Sequence, residues 1–334
     1  MTTPPLPQAD PALADALGRR LGLVEERLRS AVAHSDALAG TTARHLVDAG
    51  GKRLRPLLTL LCAHLGDPGR PQVLDAAVVV ELTHLATLYH DDVMDAAPVR
   101  RGAPSAHELW GNQVAVITGD LVFARASAIA AGLGPEAIRI LAETFERLCL
   151  GQLHETVGPE AGADPVAHYL QVLADKTASL IATSARFGAM FGGASAEVEA
   201  ALVAYGEAAG VAFQLADDVI DLTSDGATTG KTPGTDLRDR VPTMPVLLLR
   251  RRVAAGEGGP GDVDLLRLLD ADLSGAEALG RAVAALREHD VVAATRADAL
   301  AWGDRALGAL DPVPGGPVKD ALVSFTRALV DRRA

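Results

Sequence analysis

From Ala12 almost to its end, this 334-residue chain places apolar residues three and four positions apart, the stripe of a helix with one buried face. Short breakers interrupt the pattern. In the first half they are Gly50-Gly51, the turn from Gly66 to Pro71, Arg101 to Pro104, Gly132 to Pro135 and Thr156 to Pro165. In the second half they are Gly192-Gly193, Ser224 to Thr235, Ala254 to Asp262 and Asp311 to Pro317. The intervals between them run to roughly 12 to 25 residues, a helical length. No alternating run rich in β-branched residues argues for a sheet, and no fixed-period repeat marks a solenoid. No linker divides the chain. The pattern predicts an all-α fold, one helical bundle over residues 12–334, after a Pro-rich disordered tail over residues 1–11.

Composition narrows this picture. Aromatic residues make up only 3% of the chain while 49% is hydrophobic, so small-residue helix packing is expected rather than an aromatic β core. The net charge of −12 argues against a nucleic-acid partner. Two cysteines, Cys62 and Cys149, form no CxxC pair and no disulfide framework, which suits a reducing compartment. Unbroken apolar stretches such as Leu57 to Leu65 fall short of the roughly 20 residues that cross a bilayer. The N-terminal MTTPPLPQADP lacks a basic start followed by an apolar core. A soluble cytoplasmic protein is the expectation.

Charge then changes the picture a second time. Two aspartate-rich pentapeptides, Asp91-Asp92-Val93-Met94-Asp95 and Asp217-Asp218-Val219-Ile220-Asp221, sit inside apolar, helix-permissive runs. On a helix the first and last carboxylates of each share a face and repel unless cations neutralise them. Either motif alone is most often a solvated acidic face. Two copies, with basic motifs around them, point to hard cations such as Mg²⁺, which shares its coordination shell with phosphate oxygens. Gly50-Gly51-Lys52-Arg53-Leu54-Arg55-Pro56 follows a flexible turn, and Lys52 and Arg55 would point the same way on a helix to grip one anion. Arg100-Arg101-Gly102 follows the first aspartate motif closely. His84 lies about two turns before Asp91, with Thr87 on the same stripe. Asp175-Lys176-Thr177 and Gln214 bring polar groups to apolar helices, and Lys231 sits in a Gly-rich loop that lacks the P-loop order GxxxxGK[ST].

Taken in order, GGKRLRP, ELTH, HDDVMD, RRG, DKT, FQLADDVID and GKTPGTDL resemble the trans-polyprenyl diphosphate synthases, the class I head-to-tail prenyltransferases, over about Gly50 to Pro245. The variant looks most like bacterial, particularly actinobacterial, long-chain members. The resemblance implies a bundle of the isoprenoid synthase type with a central cavity, usually a homodimer. By it, Asp91, Asp95 and Asp217 bind Mg²⁺, with Asp92, Asp218 and Asp221 in support. Lys52, Arg55, His84 and Arg101 hold the diphosphate of isopentenyl diphosphate. Arg100, Lys176, Thr177, Gln214 and Lys231 serve the allylic diphosphate. One position departs from the pattern: many relatives read DLREGKxTLP, where this chain has Val241 at the lysine, with Arg240 beside it.

Thr83, Ala86 and Thr87 precede Asp91 by eight, five and four residues, the stretch that would line the passage for the growing tail. Short-chain members carry bulky aromatics at Ala86 and Thr87. Small residues here imply an open passage and a product of about hexaprenyl to decaprenyl length. A geranylgeranyl diphosphate synthase is the alternative if another side chain caps the passage. A non-catalytic regulatory subunit is a further one, although such chains lose aspartates and all six are present here. A class I terpene cyclase would need no isopentenyl site, and a plain structural bundle would need none of these charges. Transient contact with a membrane surface fits a water-insoluble product; no strongly basic amphipathic stretch points to an anchor.

Overall fold

The computed structural model describes residues 10–223 and 233–330. The tail before Asp10 and the segment 224–232, with Lys231, lie outside the described residues. Helices dominate. In chain order they are α1 (Pro11–Ala31), α2 (Ala37–Asp48), α3 (Leu54–Ala63), α4 (Pro71–Met94), α5 (Ala106–Trp110), α6 (Asn112–Leu133), α7 (Pro135–Val157) and α8 (Pro165–Leu173). A π-helical turn at Ala174–Ala178 leads into α9 (Ser179–Gly192), followed by α10 (Ala196–Thr223), α11 (Thr235–Arg238) and α12 (Met244–Ala254). The series closes with α13 (Pro260–Asp270), α14 (Ala276–Arg287), α15 (Asp290–Ala309) and α16 (Pro317–Val330). Among the described residues the strands are β1 (Val99–Arg100) and β2 (Ala103–Pro104), a two-residue antiparallel pair around Arg101-Gly102.

Local chemistry explains several boundaries. Asp10 caps α1 by accepting the Leu13 N–H at 3.0 Å, with Pro11 in the first turn where its missing N–H costs nothing. Asp36 caps α2 through Ala39, and Asp164 caps α8 through Val166 ahead of Pro165. Gly50, Gly51 and Gly102 take positive φ at the turns the sequence marked.

The chain divides into two compact units. One comprises the chain up to Arg147 with Ser179–Gly206 and Ala309–Ser324; the other comprises Leu148–Ala178, Glu207–Gly308 and the chain from Phe325. In the first, α4 packs against α1, α3, α5, α6 and α9, and is buried on almost every side from Val73 to Tyr89. That is why its sequence is apolar all round rather than striped. α3 lies on α9 so closely that a Cβ at Gly188 would collide with the Thr59 carbonyl. In the second unit, two apolar clusters form. Tyr169, Val211, Leu215 and Met244 belong to one; Leu222, Leu249, Ala282 and Leu286 belong to the other.

α6 was missed as a long apolar helix. It is 22 residues long, and among the described residues it is the one helix long and apolar enough to cross a membrane. Thr118, Gly119, Ser127 and the charges Asp120 and Arg125 interrupt its apolar runs, while Val, Ile, Leu, Phe and Ala elsewhere keep the mean high.

Candidate active site

In the first unit the chain gathers cations around His84. Arg53 sits just before α3 in the left-handed region, φ 49°, a conformation that costs a side-chain-bearing residue about 1–2 kcal/mol. The residue is 3% exposed, and all three of its guanidinium nitrogens donate. Nε donates to Glu25 Oε1 at 2.5 Å, Nη1 to Glu81 Oε1 at 2.7 Å, and Nη2 to Glu25 Oε2 at 3.3 Å and the Val47 carbonyl at 2.9 Å. Burial works against its charge, but the hydrogen bonds and charges of Glu25 and Glu81 outweigh it, so the net shift is upward. Arg101, also at positive φ, donates to the Gly50 and Leu46 carbonyls, and its Nη2 lies 3.7 Å from Glu81. A Cβ at Gly51 would stand 2.7 Å from the Arg101 Cζ, so this side chain occupies the space that glycine leaves.

Arg55 differs from both. Its Nε is buried with no hydrogen-bond partner, and desolvation, with Arg101 nearby, pushes its pKa down to about 10 despite the attraction of Glu81. His84 is held well below its ordinary pKa, first by burial and then by Arg55, Arg101, Arg100 and Arg53. It is therefore neutral near pH 7, able to donate one N–H. Three largely buried guanidiniums (Arg53, Arg55, Arg101) face two buried carboxylates (Glu25, Glu81), which leaves a surplus positive charge beside a neutral donor. Chemically, such an arrangement suits an anion. Lys52 is exposed and lies ahead of α3, so it and Arg55 do not share a helix face as the spacing predicted. The turn at Arg53 replaces the expected first helical turn.

At the end of α4 the aspartates separate by role. Asp92 is 0% exposed; its Oδ1 accepts Arg100 Nε at 2.6 Å and its Oδ2 is buried with no hydrogen-bond partner among the described residues. Asp91 is half-buried and Asp95, the C-cap, is exposed. Arg100 thus spends its Nε on Asp92. Thr83 and Ala86 are fully buried and Thr87 partly so. The Thr83 hydroxyl donates to Val79 and that of Thr87 to His84, both back into α4, which spends their polarity within the helix.

The second unit repeats the division. Asp218 is 2% exposed; its carboxylate accepts the Tyr169 hydroxyl at 2.8 and 3.0 Å and the Met244 N–H at 3.0 Å, tying α10 to α8 and to the start of α12. Burial lifts its pKa to about 8 in spite of these donors. Asp217 and Asp221 keep partial exposure. Asp175, Lys176 and Thr177 fall on the π-helical turn, a geometry that recurs at functional sites. Lys176 pairs with Glu155, and the Thr177 hydroxyl reaches Gln214 Oε1 at 3.4 Å. A Cβ at Gly151 would lie 2.5 Å from the Lys176 backbone nitrogen, so α7 and the turn meet backbone to backbone there. Val241 is half-buried, donating its N–H to the Asp236 carbonyl at 2.8 Å, and Arg240 beside it is exposed at φ 59°.

The donor set fits a hard divalent ion. All candidate ligands are carboxylates, and no group of three or more His, Cys, Asp or Glu among the described residues stands close enough to enclose an ion alone. Water and phosphate oxygens would complete the shell, which is how Mg²⁺ prefers to be held. Sequence reasoning overlooked Glu25, Glu81, Arg53, Tyr169 and Glu155. Glu81 stood within the ELTH motif and Arg53 within GGKRLRP, so the residues were visible; their burial was not.

Comparison with known proteins decides the family. The polyprenyl synthetase family model matches residues 36–257. The chain belongs to the polyprenyl synthetase family. It is 43% identical over 325 residues to a nonaprenyl diphosphate synthase of Mycobacterium tuberculosis, covering 95% of this chain and 94% of that one. Among solved structures it resembles a geranylgeranyl pyrophosphate synthase of Corynebacterium glutamicum complexed with calcium and isoprenyl diphosphate. The TM-score is 0.86 and the identity 39%, covering 96% of this chain and 98% of that one. A decaprenyl diphosphate synthase of Rhodobacter capsulatus matches with a TM-score of 0.84 at 34% identity, over the same shares of both chains. As a polyprenyl synthetase, this protein is a prenyltransferase with the all-α fold that its apolar pattern predicted.

Proposed function

We propose that this polyprenyl synthetase adds isopentenyl diphosphate units successively to an allylic diphosphate, farnesyl or geranylgeranyl, and releases a long all-trans polyprenyl diphosphate of about six to ten units; the Mycobacterium relative is named a nonaprenyl diphosphate synthase. The observation that carries the reading is the surplus-positive cluster at Arg53, Arg55 and Arg101 around neutral His84, on and beside the helix that also ends in Asp91 and Asp95. In this reading Lys52, Arg55, His84 and Arg101 hold the isopentenyl diphosphate. Arg100, Lys176, Thr177, Gln214 and Lys231 serve the allylic diphosphate. Asp91, Asp95 and Asp217 would hold Mg²⁺, with Asp92, Asp218 and Asp221 in support.

When bound, Mg²⁺ neutralises the charge that develops on the departing diphosphate. The protein's own part is positional. Arg55 and His84 fix the isopentenyl head so that its double bond faces the allylic carbon. Buried Thr83 and Ala86 keep water from the cationic centre, where a stray hydroxyl would end the chain. The released diphosphate takes the proton, so no protein base is required. Small side chains at Ala86 and Thr87 put no bulky floor in the way of the growing tail. The working form is a homodimer in the cytoplasm, touching a membrane surface as the product leaves. Exposed Val116 and Ile117 on α6 supply an apolar face for the pairing.

The test combines purified protein, Mg²⁺, radiolabelled isopentenyl diphosphate and either starter, with the dephosphorylated products sized by chromatography. A ladder ending between six and ten units is expected. Termination at four would give the geranylgeranyl reading, and no elongation with either starter would overturn the proposal.

A further inference from the structure

Glu81 has no place in the scheme above, yet it stands at the centre of the cation cluster. It is 1% exposed on α4, one turn before His84. A single oxygen, Oε1, receives Arg53 Nη1 at 2.7 Å and lies 3.7 Å from Arg101 Nη2. The same carboxylate is the strongest attraction on Arg55. These three arginines come from two separate segments: the stretch from the Gly50-Gly51 turn into the first turn of α3, and the turn at Arg101-Gly102. Arg101 in turn donates to the Gly50 and Leu46 carbonyls, closing one segment onto the other. Glu25, 6% exposed on α1, holds Arg53 from the far side.

Like charges packed this tightly repel. Something must hold them converged in the absence of an anion, and backbone preference does not, since Arg53 and Arg101 both occupy the left-handed region. We propose that Glu81 is a positioning residue for isopentenyl diphosphate. With Glu25 behind it, it draws Arg53 and Arg101 into place, so that Arg101 meets the diphosphate together with Arg55 and His84. Glu81 touches no substrate; it acts through the guanidiniums. This rests on the assignment of the cluster to isopentenyl diphosphate made above.

The test is steady-state kinetics on the full chain, varying each substrate in turn, for Glu81→Gln, Glu81→Asp and Glu25→Gln, with thermal melts alongside. Misplacing the arginines should raise KM for isopentenyl diphosphate roughly tenfold or more in Glu81→Gln. KM for the allylic starter should stay within about twofold, a split that general loss of folded protein cannot give. Glu81→Asp should recover part of the loss, and Glu25→Gln should show the same split in weaker form. Unchanged KM values, or both KM values and kcat moving together, would overturn the proposal. Should Glu81→Gln fail to fold, the split in the Asp and Glu25 variants decides. Should the wild-type chain condense nothing, the proposed function falls. Calorimetric binding of isopentenyl diphosphate to wild type and Glu81→Asp then decides the role of Glu81, with equal affinities counting against it.

Discussion

Ala86 has no exposed surface, and a ring there must either crowd its neighbours or project along the tail passage. Ala86→Phe is expected to shorten the product to four or fewer isoprene units, for which chromatographic sizing is the check, at a cost of about 1–3 kcal/mol in stability. An unchanged ladder would remove Ala86 from the passage. His84 allows a second expectation. The unfolded chain takes up a proton near the ordinary histidine value of 6.5, whereas burial and four arginines hold the folded group well below it. The unfolded state therefore binds more protons as pH falls through 6.5, so stability is complete above that point and is lost toward acid. Melting temperatures should fall from pH 7 to 5.5 in wild type, and His84→Asn should flatten part of that slope. At this scale the identity of the charged residues was legible in the string, but their allegiance was not. Asp92 and Asp218 look like their neighbours in the string, yet both turn inward, one to Arg100 and the other to Tyr169 and Met244.

Among the elements, the π-helical turn at Ala174–Ala178 was invisible in the string, because DKT flanked by apolar residues continues a helical pattern without a break. Its signal lies elsewhere, at Gly151, where only a missing side chain lets α7 reach the Lys176 backbone. Gly151→Ala is expected to push this turn aside, lowering the melting temperature and raising KM for the allylic starter more than for isopentenyl diphosphate. Equal effects on both substrates would mean that the turn carries no substrate contact. Breaks marked by Gly and Pro were legible: Gly50-Gly51 falls between α2 and α3, the turn from Gly66 ends where Pro71 opens α4, and Gly134 alone separates α6 from α7, which Pro135 opens. Those marked by neither were not. The break between α1 and α2 is made by the Asp36 cap, and that between α14 and α15 spans only Glu288 and His289. The same limit applied to Lys52 and Arg55, since no periodicity announces a left-handed residue at position 53.

For the whole molecule, the all-helical class followed from spacing alone, because buried and half-buried helices both leave a mark at three and four residues. The split into two compact units did not follow, since chain segments far apart in sequence contribute to each. Assembly is testable on one face. Ile117 is 66% exposed and Val116 39% exposed on α6, a poor use of apolar surface in a lone chain. Ile117→Arg is expected to convert a dimer into a monomer in light-scattering measurements, and an unchanged mass would place the interface elsewhere. A different consequence follows from the enclosure of α4 by five helices. Backbone amides held that way open only when their unit unfolds, so hydrogen exchange between Val73 and Tyr89 should be among the slowest in the chain. The helix is then a rigid ruler: from Asp91 back to Thr83, at about 1.5 Å per residue, it measures roughly 12 Å. Heating that speeds turnover would leave this interval untouched, so the average product length should drift far less with temperature than the rate does.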